Sequence, residues 1–376
     1  MVFVVVTNFL LYFSFCFLLA FVLTLFLGVY HTFILEAVMG KTEKFIKNFI
    51  VFILLITLTF YIVLRDQDFS SLTSTLKNAN IKFLIIGIIC MCFYIVCEAV
   101  NIGRMLKALG EKSNFILNLK YALIGFFFSA ITPAASGGQP MQIYFMYKDK
   151  ISVANSTLAL LVNLLCMQIV TISIALISLF FNYNYMNNAL LIFFAIGILL
   201  NLSALSLLLI AIFSQKLLDK LVGFIIRVMK FFKLKKFDIL KEKLEKEVEN
   251  YKENAVYIRK HKKALFKNLF TSYAQFLVFY SISYWVYASF GLSDLNILKI
   301  TSLQSIVFAT VSGIPSPGSV GVNEGAFISI FKNVFPENLL KSSMLLSRFI
   351  NFYLFVIISG ILVAILFLRN KKDGKK

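Results

Sequence analysis

Two short stretches rich in proline, glycine and polar residues interrupt apolar runs of this chain, and their composition suits them to binding an anion. We call residues 132–140 the first break and residues 313–321 the second break. Helix cannot continue undisturbed through either one. Four of the five prolines in the chain lie there: Pro133, Pro140, Pro315 and Pro317. A helix that restarts after a break has unpaired backbone amides at its N-terminus, which favour phosphate or carboxylate. Ordinary proline kinks are the alternative interpretation.

Four charged side chains lie inside or beside the apolar runs, namely Glu98, Arg104, Glu324 and Arg348. An ionisable group in hydrocarbon is costly enough that a functional role is the first expectation. Arg104, near the end of its run, can instead be an anchor that reaches the membrane surface. For the other three, the alternative is a structural ion pair.

The two breaks resemble each other in sequence. When Pro133 is aligned with Pro315, residues 136–142 fall beside residues 318–324, and a short apolar segment follows each. The pattern indicates an internal repeat. Inverted-topology repeats typically have discontinuous helices that meet near the middle of the membrane. Amides close to the breaks can bind headgroup atoms or merely satisfy freed backbone groups. They are Gln139, Gln142 and Asn323.

The composition of the chain identifies lipid as its main solvent. Of 376 residues, 60% are hydrophobic and 15% are charged, and several uncharged runs reach the roughly 20 residues that a spanning helix needs. We therefore predict an all-α integral membrane protein, a polytopic helical bundle. The net charge is +19, and the basic residues lie in short loops between apolar runs. They form no folded basic face that could follow a phosphate backbone, so we expect no nucleic-acid partner. With five cysteines in apolar runs and two histidines, we expect no metal and no other cofactor.

The basic residues predict which side of the membrane each loop faces. Residues 216–267 hold 16 Lys and Arg against 7 Asp and Glu, and such an excess marks the cytoplasmic side. Counting outward from that loop, residues 121–147 begin and end inside and residues 300–331 begin and end outside, so both are predicted to be re-entrant. The basic C-terminus is then cytoplasmic. Apolar residues that recur at helical spacing within the loop predict an amphipathic helix near the membrane surface. Its members are Leu240, Leu244, Val248, Tyr251 and Ala255.

We divide the chain into an N-terminal segment and one transmembrane domain. Residues 1–38 are either an additional hydrophobic helix or residues that precede the native start. The transmembrane domain, 39–376, consists of a first half at about 45–213, the basic loop at 216–267, a second half at about 268–368 and a basic tail at 369–376. The last apolar run, 349–368, predicts a final span that Arg348 opens.

Three motifs together resemble the lysylphosphatidylglycerol synthase transmembrane, or flippase-like, family over about residues 45–368. They are Gly-Arg-Met-Leu at 103–106, Thr-Pro-Ala-x-x-Gly-Gly at 132–138 and Pro-x-Pro-Gly-x-x-Gly-x-x-Glu-Gly at 315–325. The resemblance implies a protein that moves an aminoacylated phospholipid from the inner to the outer leaflet. It assigns motif positions to Arg104, Pro133, Gly137, Gly138, Gln139, Pro315, Gly318, Gly321 and Glu324. Family members often have a charged residue where this chain has Gln139 to Gln142, so the resemblance leaves the headgroup open.

In full-length multiple peptide resistance factors, a soluble aminoacyl-transferase domain follows this membrane region. Eight residues follow the last predicted span here, and we expect this chain to lack that domain. A separate lipid-synthesising enzyme is therefore a candidate partner, as is a second copy of the chain.

These observations predict a translocator in the cell (plasma) membrane that holds a phosphate-containing lipid, such as an aminoacylated phosphatidylglycerol, between the two breaks. The alternative is the membrane half of a phosphatidylglycerol lysyltransferase system, and a scaffold role is weaker. No nucleotide-binding Gly-x-x-x-x-Gly-Lys-Ser/Thr loop occurs, so transport is expected to be downhill or ion-coupled. No catalytic residue is predicted. The predicted substrate-binding residues are Glu98, Arg104, Pro133, Gly137, Gly138, Gln139, Gln142, Pro315, Gly318, Gly321, Asn323, Glu324 and Arg348.

Overall fold

The structure is a computed structural model that describes residues 78–132, 135–214, 237–314 and 316–373, together with Gly223, Ile226 and Arg227. The predicted helix within 1–38, the predicted first span at 48–64, much of the basic loop and the end of the tail lie outside the described residues, as do Pro133 and Pro315. The described residues form helices and contain no strand, which confirms an all-α membrane protein.

The helices of the first half are α1 (Ile81–Ala108), α2 (Phe115–Ile131), α3 (Gly138–Lys148), α4 (Val153–Asn182) and α5 (Asn188–Phe213). The helix of the basic loop is α6 (Phe237–Lys260). Those of the second half are α7 (Lys262–Ser289), α8 (Ile297–Val311), α9 (Val322–Phe331), α10 (Glu337–Arg348) and α11 (Leu354–Asp373). A π-helical turn, Phe349–Tyr353, joins α10 to α11.

The same order of helix lengths occurs in both halves. A 28-residue helix comes first in each (α1 and α7), followed by helices of 17 and 11 residues in the first half and of 15 and 10 residues in the second. Each break therefore lies between two short helices. The halves also pack reciprocally, because α2 lies against α11 and α8 lies against α4. This arrangement agrees with the internal repeat that the sequence predicts.

Helices α1 and α7 pack against each other in opposite directions. Glu98 of α1 contacts Gln275 of α7, and one turn further along, Asn101 contacts Ser272. Towards the other end, Tyr94 stacks against Phe279. Equivalent helices of the two halves thus run antiparallel, as an inverted repeat requires.

Each break turns the chain back into a helical hairpin. In the first, Tyr121 near the start of α2 donates its hydroxyl to Asp149, which follows α3, and Gln142 of α3 donates to the carbonyl oxygen of Tyr121. The start of α2 and the end of α3 consequently lie at the same end of the hairpin. In the second, α8 and α9 pack together, with Val307 and Phe331 in one buried apolar cluster.

The surface of the bundle is apolar over much of its area. Four described helical stretches are long and apolar enough to cross a membrane: Ile81–Ala108, Val153–Tyr185, Asn188–Phe213 and Glu337–Phe367. Large side chains such as Phe180, Ile116 and Phe270 project outward from helices, which suits a lipid environment. Helix α7 is long enough to span but is diluted by tyrosine, serine and glutamine, so its crossing stays a prediction.

The last helical stretch begins before the predicted final span. The helix begins at Glu337 and continues through the π-helical turn into α11, so Arg348 lies within the helical stretch Glu337–Phe367 and not at its start. That the membrane crossing begins at Arg348 stays a prediction. Arg348 pairs with Glu324 within the protein, which neutralises its charge.

The amphipathic helix of the basic loop is present as α6, but its described apolar face does not lie on lipid. Val248, Tyr251 and Ala255 are buried in the main hydrophobic core, and the Tyr251 hydroxyl donates to the carbonyl oxygen of Ala211 at the end of α5. An apolar helix face can be buried equally well by protein or by lipid, and here protein covers it.

Candidate functional site

The first break is held by a threonine hydroxyl. Thr132, which ends α2, donates from Oγ1 to the carbonyl oxygen of Phe128 at 2.6 Å and accepts from the backbone N–H of Gly137 at 2.9 Å. One side chain thus satisfies a carbonyl left free at the end of α2 and an amide just before α3. No formal charge takes part in this turn.

Tight packing brings α3 against α2. A Cβ on Gly138 would lie 2.1 Å from Oγ of Ser129 and 3.0 Å from the carbonyl oxygen of Gly125, so only glycine fits. Gln142 is buried beside Gly125 and bonds to backbone, so its predicted amide is used to hold the hairpin. Gln139 is half-buried in the first turn of α3.

The second break is held by a carboxylate. Glu324, in the first turn of α9, accepts from the backbone N–H of Gly321 at 2.6 Å and so caps its own helix. Gly318 and Gly321 have φ values of 58° and 86°, which glycine adopts without steric cost. Asn323 is buried in the same turn.

Arg348 completes the second break from the opposite side. Its Nε donates to Glu324 at 2.8 Å, and its Nη2 donates to the carbonyl oxygen of Gly318 at 3.0 Å. The guanidinium lies 4.3 Å from the ring centroid of Phe352, and the Tyr353 hydroxyl donates to Glu324 at 3.2 Å. Because Glu324 and Arg348 are 2% and 5% exposed, this is a desolvated ion pair whose charges are already neutralised inside the protein.

The two helix N-termini consequently differ in the anion they can accept. The first turn of α9 already contains the carboxylate of Glu324, which compensates the positive end of the helix. The first turn of α3 contains no acidic residue. The predicted anion-favouring field is therefore left uncompensated at the first break only.

The second break lies against the end of the helix that leads into the first break. A Cβ on Gly318 would sit 3.1 Å from the carbonyl oxygen of Ala130, in the last turn of α2. The predicted site residue Gly318 thus packs against the first hairpin, two residues before the first break begins.

Arg104 lies apart from the breaks, near the end of α1. Its Nη1 donates to Oδ1 of Asn101 at 2.9 Å and to Oγ1 of Thr271 at 3.0 Å. It is half-buried, and no carboxylate lies within ion-pair distance of it among the described residues. Both acceptors that its guanidinium contacts among the described residues are neutral oxygens.

Glu98 is half-buried on α1 between α4 and α7. It accepts from Nδ2 of Asn163 at 2.7 Å and from Nε2 of Gln275 at 3.1 Å. Asn268 extends this group of amides by donating to Oδ1 of Asn163 at 3.2 Å. Within the part of the chain that the structure describes, no cationic side chain pairs with Glu98.

Three of the four partners that α7 supplies were not predicted from the sequence: Asn268, Thr271 and Ser272. The fourth, Gln275, is an isolated amide in an apolar run, for which a bond between helices is the expected role. All four line one face of α7 and bond to the polar residues of α1 and α4 described above. Their spacing of three, one and three residues is that of a single polar stripe on a helix. This stripe was readable within an otherwise apolar run.

Comparison with known proteins gives a family. A family model described as the lysylphosphatidylglycerol synthase TM region matches residues 45–359. The UPF0104 membrane protein PH1989 of Pyrococcus horikoshii is 25% identical over 337 residues, which cover 87% of this chain and 98% of that protein. A UPF0104 membrane protein of Archaeoglobus fulgidus is 21% identical over 322 residues, covering 79% of this chain and 90% of that protein.

Proposed function

The chain belongs to the lysylphosphatidylglycerol synthase TM region family, and from that premise we propose that it moves a phosphate-containing lipid between the leaflets of a cell membrane. The headgroup passes along the two breaks while the acyl chains remain in lipid. An aminoacylated phosphatidylglycerol is the substrate class that we favour, because the family description names a synthase of such a lipid.

The observation that supports this proposal most directly is the contact of Gly318 in the second break with Ala130, two residues before the first break. Helices α3 and α9, with 11 and 10 residues, are about 15–17 Å long, roughly half of a hydrocarbon core about 30 Å thick. Hairpins of this size that enter from opposite faces meet near the midplane. Non-helical backbone is tolerated there only if it is buried in protein or lines a watery cavity.

Two features suit a phosphate headgroup. The N-terminus of α3 has no acidic residue to compensate its positive end, and a helix N-terminus by itself contributes about 0.3–1 kcal/mol to anion binding. A cation is needed as well, and Arg104 is a half-buried guanidinium without a carboxylate partner among the described residues. A short loop joins α1 to α2, so Arg104 lies at the end of the bundle where the first hairpin opens. In our proposal it captures the headgroup there.

The second candidate function is the membrane half of a phosphatidylglycerol lysyltransferase system that acts with a separate synthase. The family description favours it, because that description refers to the TM region of a synthase. In this case the chain binds the lipid product without moving it. Lipid binding alone therefore does not separate the two functions, whereas leaflet exchange does.

The deciding experiment reconstitutes the purified full chain in liposomes that contain a fluorescent phosphatidylglycerol or lysylphosphatidylglycerol in both leaflets. A membrane-impermeant quencher is added outside. Translocation predicts quenching beyond the outer-leaflet fraction, at a rate that scales with protein per vesicle. Quenching that stops at the level of protein-free liposomes, together with co-purified lipid, would favour the lysyltransferase partner. Mass spectrometry of the co-purified lipid identifies the headgroup.

We also propose that the basic loop and the C-terminus are cytoplasmic, on the basis of the Lys and Arg distribution. Counting outward from the basic loop places the turn at 182–188 outside. Asn184 in that turn and Lys246 in the loop are exposed positions, predicted to lie on opposite sides of the membrane. With the five native cysteines replaced, impermeant thiol reagents applied to intact cells should label a cysteine at position 184 and not one at position 246. The opposite pattern would invert the topology.

A further inference from the structure

Glu98 is surrounded by amides and not by cations. Two amide nitrogens donate to its carboxylate, from Asn163 and Gln275, and no positive side chain pairs with it among the described residues. The nearest basic residue on the same helix is Arg104, six residues away and about 9 Å along the axis. Arg104 is held there by Asn101 and Thr271. A carboxylate within a spanning helix is retained only where something uses its charge.

Two buried amide oxygens in the same group of side chains accept no hydrogen bond among the described residues. Oε1 of Gln275 and Oδ1 of Asn268 are buried and have no hydrogen-bond partner among the described residues. Both side chains are 0% exposed. Buried acceptors are usually satisfied in proteins, so these two oxygens, beside a carboxylate without a cationic partner among the described residues, are acceptors that a bound cation would satisfy.

The types of these ligands select a class of cation. Carboxylate and amide oxygens suit hard cations, whereas zinc and copper prefer histidine and cysteine. Among the described residues no group of three or more His, Cys, Asp or Glu is available to hold a metal. A single carboxylate with neutral amides balances one positive charge and not two. If the Gln275 and Asn268 amides rotated, their unpaired oxygens would take the places of their nitrogens. A carboxylate alone would repel these oxygens, whereas a bound cation would attract them.

We propose that Glu98, with the amide oxygens of Gln275, Asn268 and Asn163, forms a sodium-ion site between α1, α4 and α7. Sodium binding neutralises Glu98 and satisfies the orphan oxygens. An ion bound at Glu98 can alter how readily α1 and α7 separate. Arg104 lies on the same helix as Glu98, so such a separation would also affect Arg104. That coupling to lipid movement rests on the proposed function, whereas the binding site does not.

Binding is tested on the purified full chain by thermal unfolding in sodium, potassium or N-methylglucamine chloride at constant ionic strength and pH. A ligand that binds the folded state raises the unfolding midpoint as its concentration exceeds Kd. The wild-type midpoint should rise by about 2 °C for each tenfold increase of sodium above Kd, and not with the other two cations. Glu98→Gln and Asn268→Ala should each abolish the sodium effect.

The matched control is Glu337→Gln, which removes an exposed carboxylate at the start of α10 and should keep the full sodium response. Equal shifts with all three cations, or a sodium response that persists in Glu98→Gln, would overturn the site. An unfolding midpoint that depends on pH but not on sodium concentration would mean that Glu98 binds a proton in place of sodium. That result would also overturn the sodium site. If one variant does not fold, the other still decides.

The coupling is tested separately in the leaflet-exchange assay with an imposed sodium gradient. Wild-type exchange should change with the direction of the gradient, and that of Glu98→Gln should not. Sodium binding without any lipid exchange would defeat the proposed function and leave the site intact. Lipid exchange in a protein that binds no sodium would defeat the site and leave the function intact.

Discussion

The two breaks make similar hairpins with different chemistry. The first is closed by the hydroxyl of Thr132 and by close packing at Gly138, without any charge. The second is closed by the buried pair of Glu324 and Arg348, whose carboxylate also caps α9. A helical break therefore needs only that its freed backbone groups be satisfied, and either chemistry does so. The difference bears on the proposed function, because the first turn of α9 already contains a carboxylate and the first turn of α3 contains none.

The largest effect should come from breaking the charged pair. Glu324→Ala leaves the guanidinium of Arg348 buried without a counter-charge, which costs about 3–5 kcal/mol. We expect a correspondingly large loss of stability in denaturant unfolding of the detergent-solubilised protein. The double variant Glu324→Gln with Arg348→Leu removes both charges and should recover part of that loss. If the single variant unfolds like the wild type, the ion pair does not hold the second break.

Two glycine variants should show that the two hairpins differ in how tightly they are packed. In Gly138→Ala the new methyl meets the carbonyl oxygen of Gly125 at 3.0 Å, and overpacking of this kind costs about 1–3 kcal/mol. In the second hairpin, nothing lies within 4 Å of a Cβ on Gly325 of α9, so Gly325→Ala should stabilise by up to about 1 kcal/mol through helix propensity. Unfolding of both variants under identical conditions checks the opposite signs. Equal effects would mean that the two hairpins are packed alike.

The hydroxyl of the first break should have a smaller effect than the ion pair of the second. Thr132→Val keeps the shape but loses both hydrogen bonds, which together contribute about 1–3 kcal/mol. Thr132→Ser keeps the hydroxyl and should unfold close to the wild type. A Thr132→Val loss as large as that of Glu324→Ala would contradict the ranking of the two breaks.

The sequence could predict features that are local and could not predict those that depend on distant partners. Glycine in both breaks and the apolar runs of α1, α4 and α5 are local signals, and the structure contains turns and helices at these places. The pairing of Arg348 with Glu324 joins residues 24 apart through tertiary packing, so sequence inspection left both a substrate-binding role and a structural ion pair open for these two residues. The structure contains the ion pair.

The polar side chains around Glu98 were predictable in part, since some of their features are local and others depend on distant partners. The stripe on α7 is local and readable, but nothing local says that it meets Glu98 across 177 residues of chain. The face of α6 shows a further limit, since an apolar helix face looks the same whether lipid or protein covers it.

The central claim is that the uncharged break and Arg104 serve a lipid headgroup. Arg104→Gln should cost less stability than Glu324→Ala, because a glutamine can still donate to Asn101 or Thr271 and no buried charge is left unpaired. It should slow leaflet exchange by about tenfold or more, since hydrogen bonds to charged groups contribute about 1.5–3 kcal/mol.

The control is Lys107→Gln, which removes an exposed charge three residues further along α1. The most direct measurement is the leaflet-exchange rate of these two variants and the wild type in liposomes of equal protein content. We predict a strong loss for Arg104→Gln and a wild-type rate for Lys107→Gln. Equal rates in all three proteins would contradict the account.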